Sequence, residues 1–209
     1  PLGRTLGALT ALALVLYLIA FLTIVSSEDA LRERIAPIVN AMTSMLQGAG
    51  AGPEQIDDAI GRMVLFLPAT VAGYFLLITI LNSVLAQRIL VAKGRNIRPK
   101  PVYSEIEAPI WPAAAIVLGA VLAFFGGDLR FFGINVMVIA TIPFFFIGLA
   151  VLHSISAAWP GRPFLLAGLY LFMALQSWFA AAAALLGLME HWVRLRERMH
   201  ARRSNKGNE

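Results

Sequence analysis

The chain of 209 residues contains no cysteine. A disulfide framework, a thiol nucleophile and a thiolate metal site are therefore excluded. Charge is scarce too: Asp, Glu, Lys and Arg make up only 14% of the residues, where soluble domains carry about a quarter. Disorder and nucleic-acid binding both need charge to outweigh hydrophobicity, so neither fits, and no nucleic-acid partner is expected. Catalytic signatures are missing as well. There is no Gly-x-Ser-x-Gly, no His-Glu-x-x-His, no Walker loop, and no pair of carboxylates inside an apolar run that could share acid and base roles. We expect no enzyme, no cofactor and no metal centre.

What the chain does have is apolar sequence, 59% of its residues at a mean hydropathy of +0.76. Five stretches hold no Asp, Glu, Lys or Arg: Leu6 to Val25, Met63 to Ala86, Pro109 to Gly126, Phe131 to His153 and Phe164 to Met189. All 17 basic and 12 acidic residues lie outside them. A bilayer-spanning helix needs roughly 20 mostly apolar residues, and a charge at mid-membrane costs about 2.5 to 3.5 kcal/mol on insertion scales. The expected architecture is all-α: one membrane domain over residues 1–209, a multi-pass bundle of five spans at 6–25, 63–86, 109–126, 131–153 and 164–189. The third span is the weakest, being short, with Pro109 and Pro112 at its start and Gly126-Gly127 at its end.

The sequence begins at Pro1. Leu6 to Val25 is too long for the core of a signal peptide, and Ser26-Ser27-Glu28-Asp29 is not a small-x-small cleavage site. A retained span is expected, in a chain shortened at its N-terminus with further spans upstream.

Residues 26–62 read as an amphipathic helical hairpin between the first two spans. Ser27 suits an N-cap, with Glu28 and Asp29 in the first turn. Leu31, Ile35, Ile38, Met42 and Met45 then recur at helical spacing on one face. The glycine-rich run Gln47 to Pro53 breaks this helix, and Pro53 suits the first turn of the next, whose apolar face continues through Ile56, Ile60 and Met63. Such a segment is either a membrane-surface lid or a cover over exposed span ends.

The second span continues as helix to Lys93-Gly94 and leads into a basic, proline-bearing loop. A tight turn at Gly127 to Arg130 makes the third and fourth spans antiparallel neighbours. Trp159 is placed as an interfacial anchor, and residues 190–209 form a basic tail. Five full crossings put the basic loop at 88–100 and the tail on opposite sides. Placing the tail in the cytoplasm puts ten basic residues there against seven outside, a lean that sets the tail inside while leaving the loop in conflict. Arginines at a membrane edge also suit anionic lipid.

Polar residues within spans need partners and are where function is sought. Asn82 and Ser83 lie near the end of the second span, Asn135 near the start of the fourth, His153 at its end, and Gln176 in the middle of the fifth. Gln176, Asn82, Tyr74 and Tyr170 are the candidate ligand contacts, as polar or amphipathic groups inside spans. His153 and Glu190 sit at span ends, where water is expected to reach them. Pro68 and Pro143 each remove a helix hydrogen bond, with Thr70 or Thr141 placed to compensate. Small residues at four-residue spacing, Ala115, Gly119 and Ala123 in the third span and Ala180, Ala184, Ala183 and Gly187 in the fifth, mark faces for close helix approach.

The segment Leu81 to Arg88, Arg98-Pro99, Pro109, the block Gly148-Leu-Ala-Val-Leu-His153 and the block Gly187-Leu-Met-Glu-His-Trp192 followed by Arg194 and Arg196 together resemble the YybS-like family of predicted bacterial membrane proteins, domain of unknown function 2232. The resemblance covers Met63 to Arg198 best, and the blocks at Gly148 and Gly187 are its most specific parts. That family usually carries Asp where this chain has Glu190. The family is distantly similar to the substrate-binding S subunits of energy-coupling-factor transporters. The resemblance thus implies a bacterial cytoplasmic (inner) membrane protein that holds a small molecule and docks to coupling and ATPase subunits, with Gly7 and Ala11 as an imitation of the S subunits' small-residue docking motif. The competing reading is a non-transporting scaffold that recruits partner proteins through the 26–62 hairpin and the basic tail. On either reading the lipid bilayer is a partner.

Overall fold

A computed structural model describes residues 2–94, 109–157 and 159–193, apart from the side chains of Leu2, Ser177 and Trp192. The basic loop from Arg95 onward and the tail from Arg194 lie outside the described residues. Eight helices run along the described chain: α1 (Leu2–Thr23), α2 (Glu28–Arg34), α3 (Ala36–Gly48), α4 (Pro53–Ala92), α5 (Trp111–Ala123), α6 (Gly127–Ser156), α7 (Arg162–Leu175) and α8 (Ser177–Val193). No strand occurs among the described residues.

Three of these helices, α1, α4 and α6, are long and apolar enough to cross a membrane, and the pair α7 and α8 makes a fourth if counted as one. Five uniform spans are therefore not what forms. The helix of the third stretch, α5, has only 13 residues, about 20 Å at 1.5 Å per residue, because Pro109 and Pro112 delay its start and glycines end it. Gly126 and Gly127 take φ of +78° and +53°, a region open to glycine at little cost. The turn thus falls at Phe124 to Gly126, and Asp128 and Arg130 begin α6. The fifth stretch is broken at Gln176, with α7 and α8 bent by 117°.

The chain divides into two compact units, and α1, α5 and α6 each contribute to both. The first unit comprises residues 11–92 and 114–140. Its core is a cluster of Leu31, Val39, Ile56, Ile60, Val64 and Phe131, against which Phe21, Val25, Ile35, Leu46 and Met63 pack. The end of α1 and the starts of the charge-free runs of α4 and α6 meet there, and α2 with α3 covers them.

The cover forms largely for the reasons its sequence suggests. The Ser27 hydroxyl accepts the Ala30 N–H at 3.0 Å, and Glu28 and Asp29 occupy the first turn of α2. The expected single helix with one stripe is nonetheless two helices. Pro37 has no N–H to donate to Glu33, so the helix stops at Arg34 and restarts at Ala36 with Pro37 in its first turn. The restart changes which residues point inward. Leu31 and Val39 are buried, whereas Ile38 and Met45, expected on the covered face, are 59% and 77% exposed. Two ion pairs, Arg32 with Asp57 at 3.3 Å and Arg62 with Asp58 at 3.2 Å, lie on the outside of this cover.

In the same unit, α5 and α6 run antiparallel with their backbones in contact. A Cβ on Gly119 would lie 2.6 Å from the Gly133 carbonyl, and one on Gly133 the same distance from the Gly119 carbonyl. The third-stretch ladder at Gly119 and Ala123 therefore serves packing within this chain.

The second unit takes the remaining described residues. Here α6 and α8 touch through glycine: a Cβ on Gly148 would overlap the Ala183 carbonyl, and one on Gly187 the Phe144 carbonyl. The Ala183 and Gly187 ladder is thus also an internal packing face. Gly7 is buried, and a Cβ there would lie 2.6 Å from Cγ of Pro109. The glycine expected to imitate a docking motif is covered by its own chain.

Candidate functional site

Asn135 is the most deeply placed polar side chain of the first unit, fully buried on α6. Its Oδ1 accepts the Ala69 N–H at 2.9 Å, and its Nδ2 donates to the Leu65 carbonyl and to the Phe131 carbonyl, each at 2.9 Å. Leu65 and Ala69 are the acceptor and donor that an unbroken α4 would join as an i to i−4 pair. Pro68 lies between them and interrupts that ladder. The Asn135 carboxamide, which has the donor and acceptor of a peptide group, is spliced into α4 beside the proline. This is the compensation the sequence placed at Thr70. Thr70 instead donates to the Phe66 carbonyl of its own helix at 2.8 Å. Beside this node Tyr17 is 5% exposed and stacks on Phe132 with ring centroids 5.5 Å apart.

Of the four expected ligand contacts, two belong to this unit. Tyr74 is 62% exposed on α4, in a stripe with Val71, Ile78, Leu81 and Leu85 that is exposed throughout. Asn82 is also exposed, next to that stripe. Both face outward from their helix.

The other two belong to the second unit, around the break in the fifth stretch. Gln176 is not inside a helix. It takes an extended conformation, φ −138° and ψ 107°, between α7 and α8, with its N–H bonded to the Phe172 carbonyl at 2.8 Å and its side chain exposed. Aromatic rings bracket it. Phe172 and Phe179 have centroids 5.2 Å apart across the break, and Trp178 stacks on Phe179 at 3.8 Å. One and a half turns before the break, Tyr170 reaches α6. Its hydroxyl lies 3.5 Å from Nε2 of His153, whose Nδ1 lies 2.9 Å from the Leu149 carbonyl. A carbonyl can only accept, so Nδ1 carries the proton and Nε2 accepts from the tyrosine. His153 is thus held as the Nδ1–H tautomer while neutral. Phe172, Trp178 and Phe179 went unmarked in the sequence because an aromatic residue in an apolar run looks like any lipid-facing residue.

Glu190 was expected where water reaches it, but it is 6% exposed on α8, three residues beyond the Gly187 contact that brings α8 against α6. Among the described residues no group of three His, Asp or Glu side chains stands close enough together to hold a metal ion.

The two blocks that carry the family resemblance most specifically, from Gly148 and from Gly187, are the two that touch. They bring α6 and α8 into backbone contact and place His153 and Glu190 on these helices. A family model described as predicted membrane protein (DUF2232) matches residues 2–190. The chain belongs to this family. The match takes in α1 to α7 and all but the last three residues of α8, and the helices carry the large exposed apolar surface that a lipid environment requires. No curated protein and no solved structure matches the chain.

Proposed function

We propose that this family member binds a small molecule at the α7–α8 break, in the manner of a transporter's substrate-binding subunit. One observation carries the reading: the charge-free run 164–189 is unwound at its middle, at a glutamine flanked by Phe172, Trp178 and Phe179. Interrupted helices in membranes expose backbone groups that only a cavity, water or a ligand can satisfy, and transporters use them to hold substrates. Gln176 would supply the directional hydrogen bonds, the rings an apolar wall, and Tyr170, positioned by His153, a hydroxyl. The reading requires nothing of Tyr74 or Asn82, and assigns no catalysis, cofactor or metal.

The same break bears on topology. Two rods of about 21 and 25 Å joined at this bend have ends no more than about 25 Å apart, short of the hydrocarbon thickness of about 30 Å. We therefore read α7 and α8 as a re-entrant pair, entering and leaving on one side, with α1, α4 and α6 crossing. At about 20 Å, α5 is too short to span alone; it is read as the fourth crossing because it lies antiparallel against α6 and its charge-free run continues on both sides of it to Pro109 and Gly126. The basic loop and the basic tail then share the cytoplasmic face of a bacterial inner membrane. Thirteen basic residues lie on that face and four, Arg32, Arg34, Arg62 and Arg130, on the other. The conflict created by five full crossings disappears.

Native mass spectrometry of the protein purified in mild detergent tests the binding site. A retained molecule that is lost on Gln176→Leu and weakened on Tyr170→Phe, but kept on Tyr74→Phe, is the expected result. Equal retention in all variants would refute it. Copurifying coupling and ATPase subunits would extend the reading to transport, whereas a cell-envelope protein that stays bound through residues 26–62 would favour the scaffold.

A further inference from the structure

The cover of the first unit has an outer surface unlike that of a water-facing cap. Three stripes run along α3. Val39 and Leu46, seven residues apart, pack on the core cluster. Asn40, Ser44 and Gln47 form an exposed polar stripe. Ile38, Met42 and Met45 form a third, apolar stripe, in which Ile38 and Met45 are largely exposed. The helix carries no charged residue.

Its position gives that stripe a meaning. The cluster under α3 contains Phe21 and Val25 from the end of α1, Met63 from the start of the charge-free run of α4, and Phe131 from the start of that of α6. Three apolar runs reach their limits at one level, which marks the edge of the hydrocarbon layer. Exposed apolar residues beside that level, Leu22 in the last turn of α1, Ile24 just after it and Phe66 on α4, continue the surface that lipid covers. The charges lie elsewhere in the cover: Glu28, Asp29 and Glu33 on α2, and Glu54, Asp57 and Asp58 on α4. Two of its three arginines, Arg32 and Arg62, are paired with Asp57 and Asp58.

We propose that α3 is an interfacial helix whose Ile38, Met42 and Met45 lie in the boundary between headgroups and acyl chains, with zwitterionic rather than anionic lipid as the partner. Binding of a helix face in that boundary scales with the apolar area it buries and with attraction of basic residues to anionic lipid. Seated where spans enter the bilayer, α3 has an apolar stripe beside a polar one and no charge, so only the apolar part operates. Anionic headgroups are attracted by clusters of Lys and Arg. This cover has the opposite balance, six acidic residues against three basic over residues 26–62.

The absence of cysteine makes the test direct. Single variants Met45→Cys, Ile38→Cys, Asn40→Cys and Gln47→Cys are labelled with an environment-sensitive fluorophore and placed in phosphatidylcholine nanodiscs, far-ultraviolet circular dichroism confirming that helix content is unchanged. A nitroxide carried at the top of the acyl chain should quench labels at 45 and 38 about twofold or more as strongly as those at 40 and 47, and aqueous iodide should show the reverse order. Replacing part of the phosphatidylcholine by phosphatidylglycerol should not increase lipid quenching. Equal quenching at 45 and 40 would overturn the proposal. So would a label at 45 shielded from both quenchers, which would place a second copy or another protein on the stripe. Stronger insertion with anionic lipid would overturn the lipid preference.

Discussion

Replacing Asn135 by leucine tests the central packing claim, because leucine has nearly the same size and none of the hydrogen bonds. The Ala69 N–H and the Leu65 carbonyl would lose the partners that now lie 2.9 Å away. The Phe131 carbonyl retains its helical donor and loses only a second bond. A buried polar group left unsatisfied costs about 1 to 3 kcal/mol. Two such groups bound the loss at about 2 to 6 kcal/mol, and partial reclosure of α4 should bring it to about 2 to 4 kcal/mol. Pro68 is what prevents full reclosure. In a Pro68→Ala background α4 can form both missing ladder bonds, so Asn135→Leu should then cost about 0.6 kcal/mol, the usual value for a hydrogen bond between membrane helices. Reversible unfolding of the four proteins by sodium dodecyl sulfate in mixed micelles, followed by circular dichroism, gives the complete double-mutant cycle. A coupling energy above about 1 kcal/mol is expected. Equal losses in the two backgrounds would refute the reasoning, since Asn135 would then be stabilising something other than the proline break.

The glycine contacts should be as unforgiving as the geometry implies: Gly148→Ala and Gly187→Ala should each lower stability by several kcal/mol or drive α6 and α8 apart, because the neighbouring atoms are backbone carbonyls. Gly168→Ala, with nothing within 4 Å of the added carbon, should be neutral or stabilise by up to about 1 kcal/mol in the same unfolding assay. Ser27→Ala removes the cap on α2 and should cost about 1 kcal/mol, while Arg32→Ala, at an exposed pair, should cost under about 1 kcal/mol. Reporter fusions after residue 100 and at the C-terminus should both read cytoplasmic, and opposite readings would refute the topology, since either α7 and α8 would then cross the bilayer or α5 would not.

Membrane character was legible because lipid excludes charge, a constraint that acts on composition and needs no partner residue to be read. The start of α2 at Ser27, the break before Pro53 and the close approach at Gly187 were legible for a similar reason, since caps, breakers and small residues act within a turn of themselves. What failed was phase and partnership. Pro37 moved the α3 stripe by resetting the helix, so a periodicity that spans a proline counted two helices as one. Compensation at Pro68 was sought two residues away at Thr70. The group that supplies it, Asn135, is 66 positions along the chain from Ala69, and no local spacing announces such a bond.

The same contrast governs the candidate site. A polar residue inside an apolar run has three physical fates: it can satisfy backbone, face the surface, or sit where the helix itself has come apart. Asn135 and Gln176 carry the same carboxamide, and the sequence ranked Gln176 higher for its central position. Asn135 spends its hydrogen bonds on the backbone of α4 and of its own helix, so none of its donors is left for a ligand, whereas Tyr74 and Asn82 lie on an outward face of intact helix. At Gln176 the chain leaves helical geometry in the middle of a charge-free run rather than at its end. Depth in the run put Gln176 first, and the structure adds a feature that depth does not announce, the break in the helix at that residue. On the proposed binding reading it is this interrupted backbone that matters, so closing the helix through residue 176, which Gln176→Ala favours, should abolish retention of the ligand even with every surrounding aromatic ring in place.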